Sequence, residues 1–211
     1  MIDVIVVGGG PVGLAAAIAA RSHGLSVRLV ERQRPPIDKA CGEGLMPAGV
    51  RALATLGVRL PERSLPFRGI RYLSDGVVAE ADFPGDLGLP GNCGRGIRRT
   101  DLHDALVERA EEVGVELYWG TRVESTGPGE VATASSSWTC RFVVGADGLR
   151  SAVRHRAGLS PARSDTAGQG SARGVAAGEL AWSPRARYGV SRHLRLAPWS
   201  ERVEVTFGAA A

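Results

Sequence analysis

The chain opens with Ile2-Asp3-Val4-Ile5-Val6-Val7-Gly8-Gly9-Gly10-Pro11-Val12-Gly13-Leu14-Ala15-Ala16-Ala17-Ile18-Ala19-Ala20, and this run decides the fold. Ile2 to Val7 is β-branched and apolar on both faces, the pattern of a central strand in a parallel sheet. Leu14 to Ala20 is a strong helix former, closed by Gly24. A second apolar run, Leu25-Ser26-Val27-Arg28-Leu29-Val30, ends in Glu31. Strand, glycine turn, helix and strand form a βαβ unit.

The glycine spacing has a chemical reason. Gly8 permits a sharp exit from the strand, and Gly10 leaves no side chain where a pyrophosphate approaches the backbone. Gly13 lets the helix lie close to the strand. Pro11 and Val12 begin the helix, whose free amides and positive dipole end suit phosphate. Glu31 stands 18 residues beyond Gly13. That is near the ~20-residue offset of the acid that accepts the ribose hydroxyls of an adenine nucleotide. Arg32 flanks it as a further candidate contact. A carboxylate there disfavours a 2′-phosphate, which leaves NAD and FAD.

Composition narrows the class. The 211 residues are 44% hydrophobic and 23% charged, enough for a real core. No apolar run is long enough to cross a bilayer, and the start lacks the basic region of a signal peptide. A soluble cytoplasmic protein is the expectation. Cys41, Cys93 and Cys140 are few and far apart, which argues against a disulfide framework or a zinc site. His23, His103, His155 and His193 have no ligand spacing, so they are read as surface or packing residues and no metal is expected. Ten arginines against four carboxylates from Arg150 onward leave +6, and the first 149 residues carry −2. These arginines are interleaved with turns rather than aromatics, so no nucleic-acid partner is expected. Lys39 is the only lysine.

Three further segments decide between the dinucleotides. Arg141-Phe142-Val143-Val144-Gly145-Ala146-Asp147-Gly148 runs from an apolar strand into a glycine-flanked aspartate, then a short basic helix. Asp38-Lys39-Ala40-Cys41-Gly42-Glu43-Gly44 is a second glycine-rich loop. Arg98-Arg99-Thr100-Asp101-Leu102 leads into a helix with Leu102, Leu106 and Ala110 on one face, and Thr100 or Asp101 is the expected cap. With the opening fingerprint, these segments resemble the FAD-dependent aromatic hydroxylase-like flavoproteins, whose scaffold is shared by the geranylgeranyl reductases. The Lys-x-Cys-Gly loop resembles the reductase branch.

The resemblance implies the roles. Gly145, Asp147 and Gly148 would lie against the FAD pyrophosphate, with Asp147 pinning the loop. Arg99 would reach the ribityl-phosphate region, while Arg98 reads as a solvated surface residue. Cys41 and Gly42 would pass beside the flavin. Cys41 is either a proton donor or an ordinary reduced loop cysteine, and Glu43 reads as a solvated carboxylate. FAD is the expected cofactor and NAD(P)H the reductant. The function is that of an oxidoreductase acting on a small apolar or aromatic substrate. It is a monooxygenase that activates O2 or, alternatively, a reductase of carbon–carbon double bonds. A plain NAD-dependent dehydrogenase is a third reading, against which the Asp147 loop speaks.

The expected architecture is α/β: a Rossmann-like FAD-binding domain with a parallel sheet (1–64 and 96–160) and part of an antiparallel β-sheet substrate domain (65–95 and 161–211). Pro47 to Gly57 reads as a helix. Arg68–Leu73 and Val77–Ala81 read as a hairpin across Asp75-Gly76, with a Gly/Pro-rich loop from Gly85 to Gly96. Val115–Trp119 returns to the parallel sheet. Arg122–Ser125 and Val131–Thr133 form a small antiparallel insertion, of the kind that in the family builds the second sheet. Ser160 to Arg173 reads as a linker. Tyr188–Leu196 and Val203–Phe207 read as antiparallel strands, with Trp182, Tyr188, Trp199 and Phe207 as core aromatics. The family carries a second flavin-binding segment, a Gly-Asp followed by small residues, that this sequence lacks. A fragment, or a remnant that binds FAD without turnover, is therefore also an expectation.

Overall fold

The computed structural model describes residues 1–84, 92–159 and 189–207. In chain order its elements are β1 (Ile2–Val7), α1 (Pro11–Ser22), β2 (Val27–Glu31), β3 (Gly44–Leu45), α2 (Pro47–Thr55), β4 (Leu65–Phe67), β5 (Gly69–Ser74) and β6 (Val77–Asp82). They continue with β7 (Gly94–Gly96), α3 (Arg99–Glu112), β8 (Glu116–Trp119), β9 (Val123–Gly127), β10 (Glu130–Thr133), β11 (Ser137–Gly145), α4 (Ala152–Arg156) and β12 (Arg202–Phe207).

The main sheet has the order β8-β2-β1-β11-β10-β9. Its first four strands are parallel, with Val7 beside both Val30 and Gly145, and Glu31 beside Trp119. β1 is buried on both faces, which is why its sequence shows no alternation. On one face Val4 and Val6 pack with Leu14, Ala17 and Ile18 of α1 and Leu106 and Ala110 of α3. On the other, Ile5 and Val7 pack with Val30, Val131 and Cys140. Leu14, Ile18 and Leu106 are almost wholly buried, and each contributes roughly 1.5–3 kcal/mol through the apolar area it hides. The bottom of the sheet is tied by Asp3, whose carboxylate accepts from the Ser26 amide at 2.9 Å and the Ser26 hydroxyl at 2.7 Å.

Several expectations need correction. The β9–β10 hairpin does not build a second sheet but extends the main one. β11 is nine residues long; its first half pairs with β10 and its second half with β1, so the hairpin continues the same surface. Val203–Phe207 does form a strand, yet β12 runs parallel to β5, while β5 and β6 are antiparallel. Period-two alternation tells which side chains share a face and carries no information about a partner's direction. The second sheet, order β12-β5-β6, is therefore mixed.

Gly189–Leu196 forms no strand. Trp199 and Phe207 are exposed, against the core reading, and the Trp199 indole donates to Glu204 at 3.0 Å. Neither Thr100 nor Asp101 caps α3: both lie inside it, and Asp101 pairs with Arg63. The linker reading at Ser160 to Arg173, the aromatics Trp182 and Tyr188, and positions 85–91 of the Gly85–Gly96 loop lie outside the described residues.

Candidate functional site

The parallel strands end side by side, and the chain order reverses at β1, with β2 on one flank and β11 on the other. A crevice outside the carboxyl ends of the strands at such a point is where open α/β sheets take ligands. Here it is built from two loops in contact. The Ala146 amide donates to the Val7 carbonyl at 2.7 Å. Gly8 has φ +115°, and a Cβ on it would lie 2.3 Å from the Ala146 oxygen and 2.7 Å from the Asp147 nitrogen. Only glycine fits that backbone and that approach. Gly13 is as tightly placed, its Cβ position falling 1.9 Å from the Gly8 carbonyl oxygen.

Gly10 is different. Nothing lies within 4 Å of its Cβ position, so the turn is open there to a ligand. Gly10 is also the N-cap of α1, with no side chain capping the helix and no acid in its first turn. Pro11 fills the first helical position, and Val12 stands exposed. The first-turn amides are thus left for an anion.

Glu31 is more engaged than its spacing suggested. One carboxylate oxygen accepts from the Gly9 amide at 2.8 Å, the other from the Gln33 amide at 2.9 Å. Each oxygen retains a further lone pair for a ribose hydroxyl. Gly9, to which the spacing assigned nothing, is hemmed in: a Cβ would fall 2.4 Å from Trp119 and 2.8 Å from the Glu31 side chain. Beside Glu31 opens a cavity of about 280 Å³ lined by Gly8, Arg32, Lys39, Val123, Asp147 and Arg150 among others.

Asp147 pins its loop as the resemblance implied. It accepts from the Ser151 hydroxyl, from the Ala152 amide at 2.7 Å and from the Val153 amide at 3.2 Å. Burial opposes its charge, but these hydrogen bonds win and hold the carboxyl below its ordinary range. Gly145 packs on Val153, 2.8 Å from its Cβ position, while Gly148 (φ +91°) turns in open space.

The other cluster gathers at the start of α3. Arg99 occupies the first helical position, and its Nε is buried without a partner among the described residues. Its amide donates to Glu43 at 3.2 Å, so a carboxylate from a distant loop caps the helix. Glu43 also meets His193 Nε2 at 2.7 Å, and Arg98 reaches the other ring nitrogen at 3.2 Å. Glu43 is thus a structural partner rather than a solvated carboxylate, while Arg98 is exposed, in keeping with its surface reading, and meets the His193 ring. Cys41 is exposed, with its carbonyl accepting from the Ser191 hydroxyl at 3.0 Å, and Gly42 has open space beside it.

Sequence reasoning gave His103 a packing or surface role and did not connect it to the glycine turn. His103 is fully buried, and its Nε2 lies 2.8 Å from the Gly9 carbonyl oxygen. It stands one turn after Arg99 on the same helix face, which ties the α3 cluster to the glycine turn. That i,i+4 pairing of Arg and His was the available signal.

The FAD binding domain family matches residues 1–202. The chain belongs to that family. Menaquinone reductase of Mycobacterium tuberculosis is 32% identical over 164 residues, covering 74% of this chain and 40% of that protein. Rifampicin monooxygenase of Streptomyces venezuelae is 31% identical, covering 79% and 37% respectively. The tetrameric form of 2-methyl-3-hydroxypyridine-5-carboxylic acid oxygenase is a structural neighbour. It has a TM-score of 0.65 and 31% identity, covering 75% of this chain and 42% of that one. This FAD binding domain spans about 40% of the length of the curated relatives it matches. The residues fit the family's cofactor: the turn is open at Gly10 alone, and the buried Arg99 Nε has a donor to spare. Among the described residues, no helix is long and apolar enough to cross a membrane, and no group of three His, Cys, Asp or Glu is placed to hold a metal.

Proposed function

We propose that this FAD binding domain is the cofactor-holding part of a flavin-dependent monooxygenase. The observation that carries the reading is the contact of Gly8 with the Ala146-Asp147 loop, beside a Gly10 left open to ligand. Bound FAD supplies the redox chemistry: electrons arrive from NAD(P)H and leave to O2, one oxygen atom entering a small organic substrate and the other leaving as water. The chain's own residues bind and orient. Glu31 takes the adenosine ribose, with Arg32 beside it. The amides at Gly10, Val12 and Gly13, the Arg99 guanidinium and the loop of Gly145, Asp147 and Gly148 hold the diphosphate and the ribityl chain attached to it.

We divide the chain into a flavin-holding part (1–64 and 96–160) and a covering part (65–95 and 161–211). The sheet β12-β5-β6 supports an apolar or aromatic substrate. Ile70, Tyr72, Val203, Val205 and Phe207 alternate onto one of its faces, with Tyr72 and Phe207 stacked at 6.0 Å. Three free thiols suit a reducing compartment, and we place the protein in the cytoplasm.

A second reading has its own support. Exposed Cys41, two residues before the Glu43 that meets the start of α3, would give a proton to a carbon–carbon double bond. Similarity to a menaquinone reductase favours a reductase over an oxygenase. A visible spectrum of the purified chain, alone and with FAD, followed by NADH or NADPH under nitrogen and then air, tests both. Yellow protein that bleaches with reductant supports an oxidoreductase; dependence of substrate turnover on O2 selects the oxygenase. Yellow protein that never bleaches favours a non-catalytic remnant. Colourless protein indifferent to FAD overturns the proposal.

A further inference from the structure

We propose that His103 sets the direction of the Gly10 N–H and so makes the glycine turn a receptor for phosphate. The inference rests on the phosphate-site reading above and adds a positioning residue to it.

His103 sits in α3 with none of its surface exposed, and its Nε2 lies 2.8 Å from the Gly9 carbonyl oxygen. A carbonyl only accepts, so Nε2 carries the hydrogen and donates it. The Gly9 carbonyl belongs to the same planar unit as the Gly10 N–H. That peptide is trans, the cis bond in the described chain being Pro35-Pro36. In a trans peptide the C=O and N–H point in opposite directions. By drawing the carbonyl towards α3, His103 therefore turns the Gly10 N–H away from α3. Among the described residues the Gly10 N–H has no acceptor, and nothing lies within 4 Å of the Gly10 Cβ position, so the turn has room for a ligand.

The hold is needed because the peptide is flanked by two glycines. No Cβ on either side resists rotation of that plane, so its two orientations differ little intrinsically. Turned over, it would present a carbonyl oxygen to the phosphate and repel it. His103 prevents this by fixing the Gly9 carbonyl, while Glu31 holds the preceding peptide through the Gly9 amide at 2.8 Å. Trp119 lies against the imidazole, ring centroids 5.9 Å apart, and holds the ring in place.

The test compares His103→Leu, which fills the space without a donor, with His103→Gln, which keeps an N–H at nearly the same reach. FAD and ADP affinities are measured by calorimetry, and the melting midpoint is measured without ligand. His103→Leu is expected to weaken both ligands about tenfold, the size of one lost hydrogen bond near a charge, and His103→Gln to restore most of the affinity. Equal affinities in the two variants, or losses that follow the ligand-free midpoint alone, overturn the inference.

Nitrogen-15 spectra of the wild-type chain decide the matter should both variants fail to fold. On adding ADP the Gly10 amide is expected to shift far more than the Gly9 amide, already bonded to Glu31; the reverse order overturns the inference. Wild-type protein that binds ADP but not FAD removes the flavin reading while leaving His103 to be judged on ADP. Wild-type protein that binds neither overturns both.

Discussion

The Cβ position of Gly8 falls 2.3 Å from the carbonyl oxygen of Ala146. This contact joins the amino-terminal turn to the loop before α4, and the two halves of the candidate site stand or fall with it. Gly8→Ala puts a methyl group into that oxygen at φ +115°. It is expected to destabilise the chain by about 3 kcal/mol. An unchanged urea midpoint would contradict the packing of the two loops.

Gly10 and Gly13 separate binding from folding. Gly10→Leu adds a side chain where nothing lies within 4 Å. It should leave ligand-free stability within about 1 kcal/mol of wild type while abolishing FAD binding. Gly13→Ala drives a methyl group into the Gly8 carbonyl and should lose the fold first. Denaturation curves paired with flavin titrations check both; retained FAD affinity in Gly10→Leu would remove the phosphate assignment.

Arg99 offers a donor with no partner among the described residues. Since its Nε is buried and unbonded among the described residues, Arg99→Met breaks no such bond in the ligand-free chain. It is expected to leave the melting midpoint nearly unchanged and to weaken FAD by about tenfold or more. A fall in the midpoint with full FAD affinity would assign Arg99 to the fold instead.

Asp147 holds the first turn of α4 through Ser151 and the Ala152 and Val153 amides. Asp147→Ala is expected to cost about 1 kcal/mol, as for a lost helix cap, and to lower flavin affinity by loosening the loop against Gly8. Equal flavin affinity in the variant would separate the loop from the site.

Acid sensitivity has a source far from the site. Hydrogen bonds from the Ser26 amide and hydroxyl, then Arg141, lower the Asp3 carboxyl from 3.8 to about 2. A carboxyl lowered on folding stabilises fully above its unfolded value, and that contribution is lost as pH falls through the folded one. Wild type should therefore lose stability between about pH 4 and 2, and Asp3→Asn should show a shallower acid limb in that window. Identical acid limbs would show that Asp3 does not contribute.

Much of this was legible before any coordinates. The strand at Ile2–Val7, the glycine turn, α1, the hairpin at Asp75-Gly76 and the return strand at Glu116–Trp119 follow from short-range patterns, and the structure has them. The side of the main sheet on which β9 and β10 lie, and the parallel pairing of β12 with β5, were not legible. They depend on which edge is free when distant strands meet, and alternation in a strand says nothing of that.

The candidate site divides the same way. Residue type and spacing determined that a turn open at Gly10 precedes a helix and that an acid ends the next strand, because those are properties of neighbouring residues on one backbone. Only the tertiary structure decided that Glu31 spends a hydrogen bond on Gly9, that Glu43 caps α3, and that His103 holds the Gly9 carbonyl. Those partners meet across gaps in the chain that no local rule spans, and what brings them together is the burial of α1 and α3 against one face of the sheet.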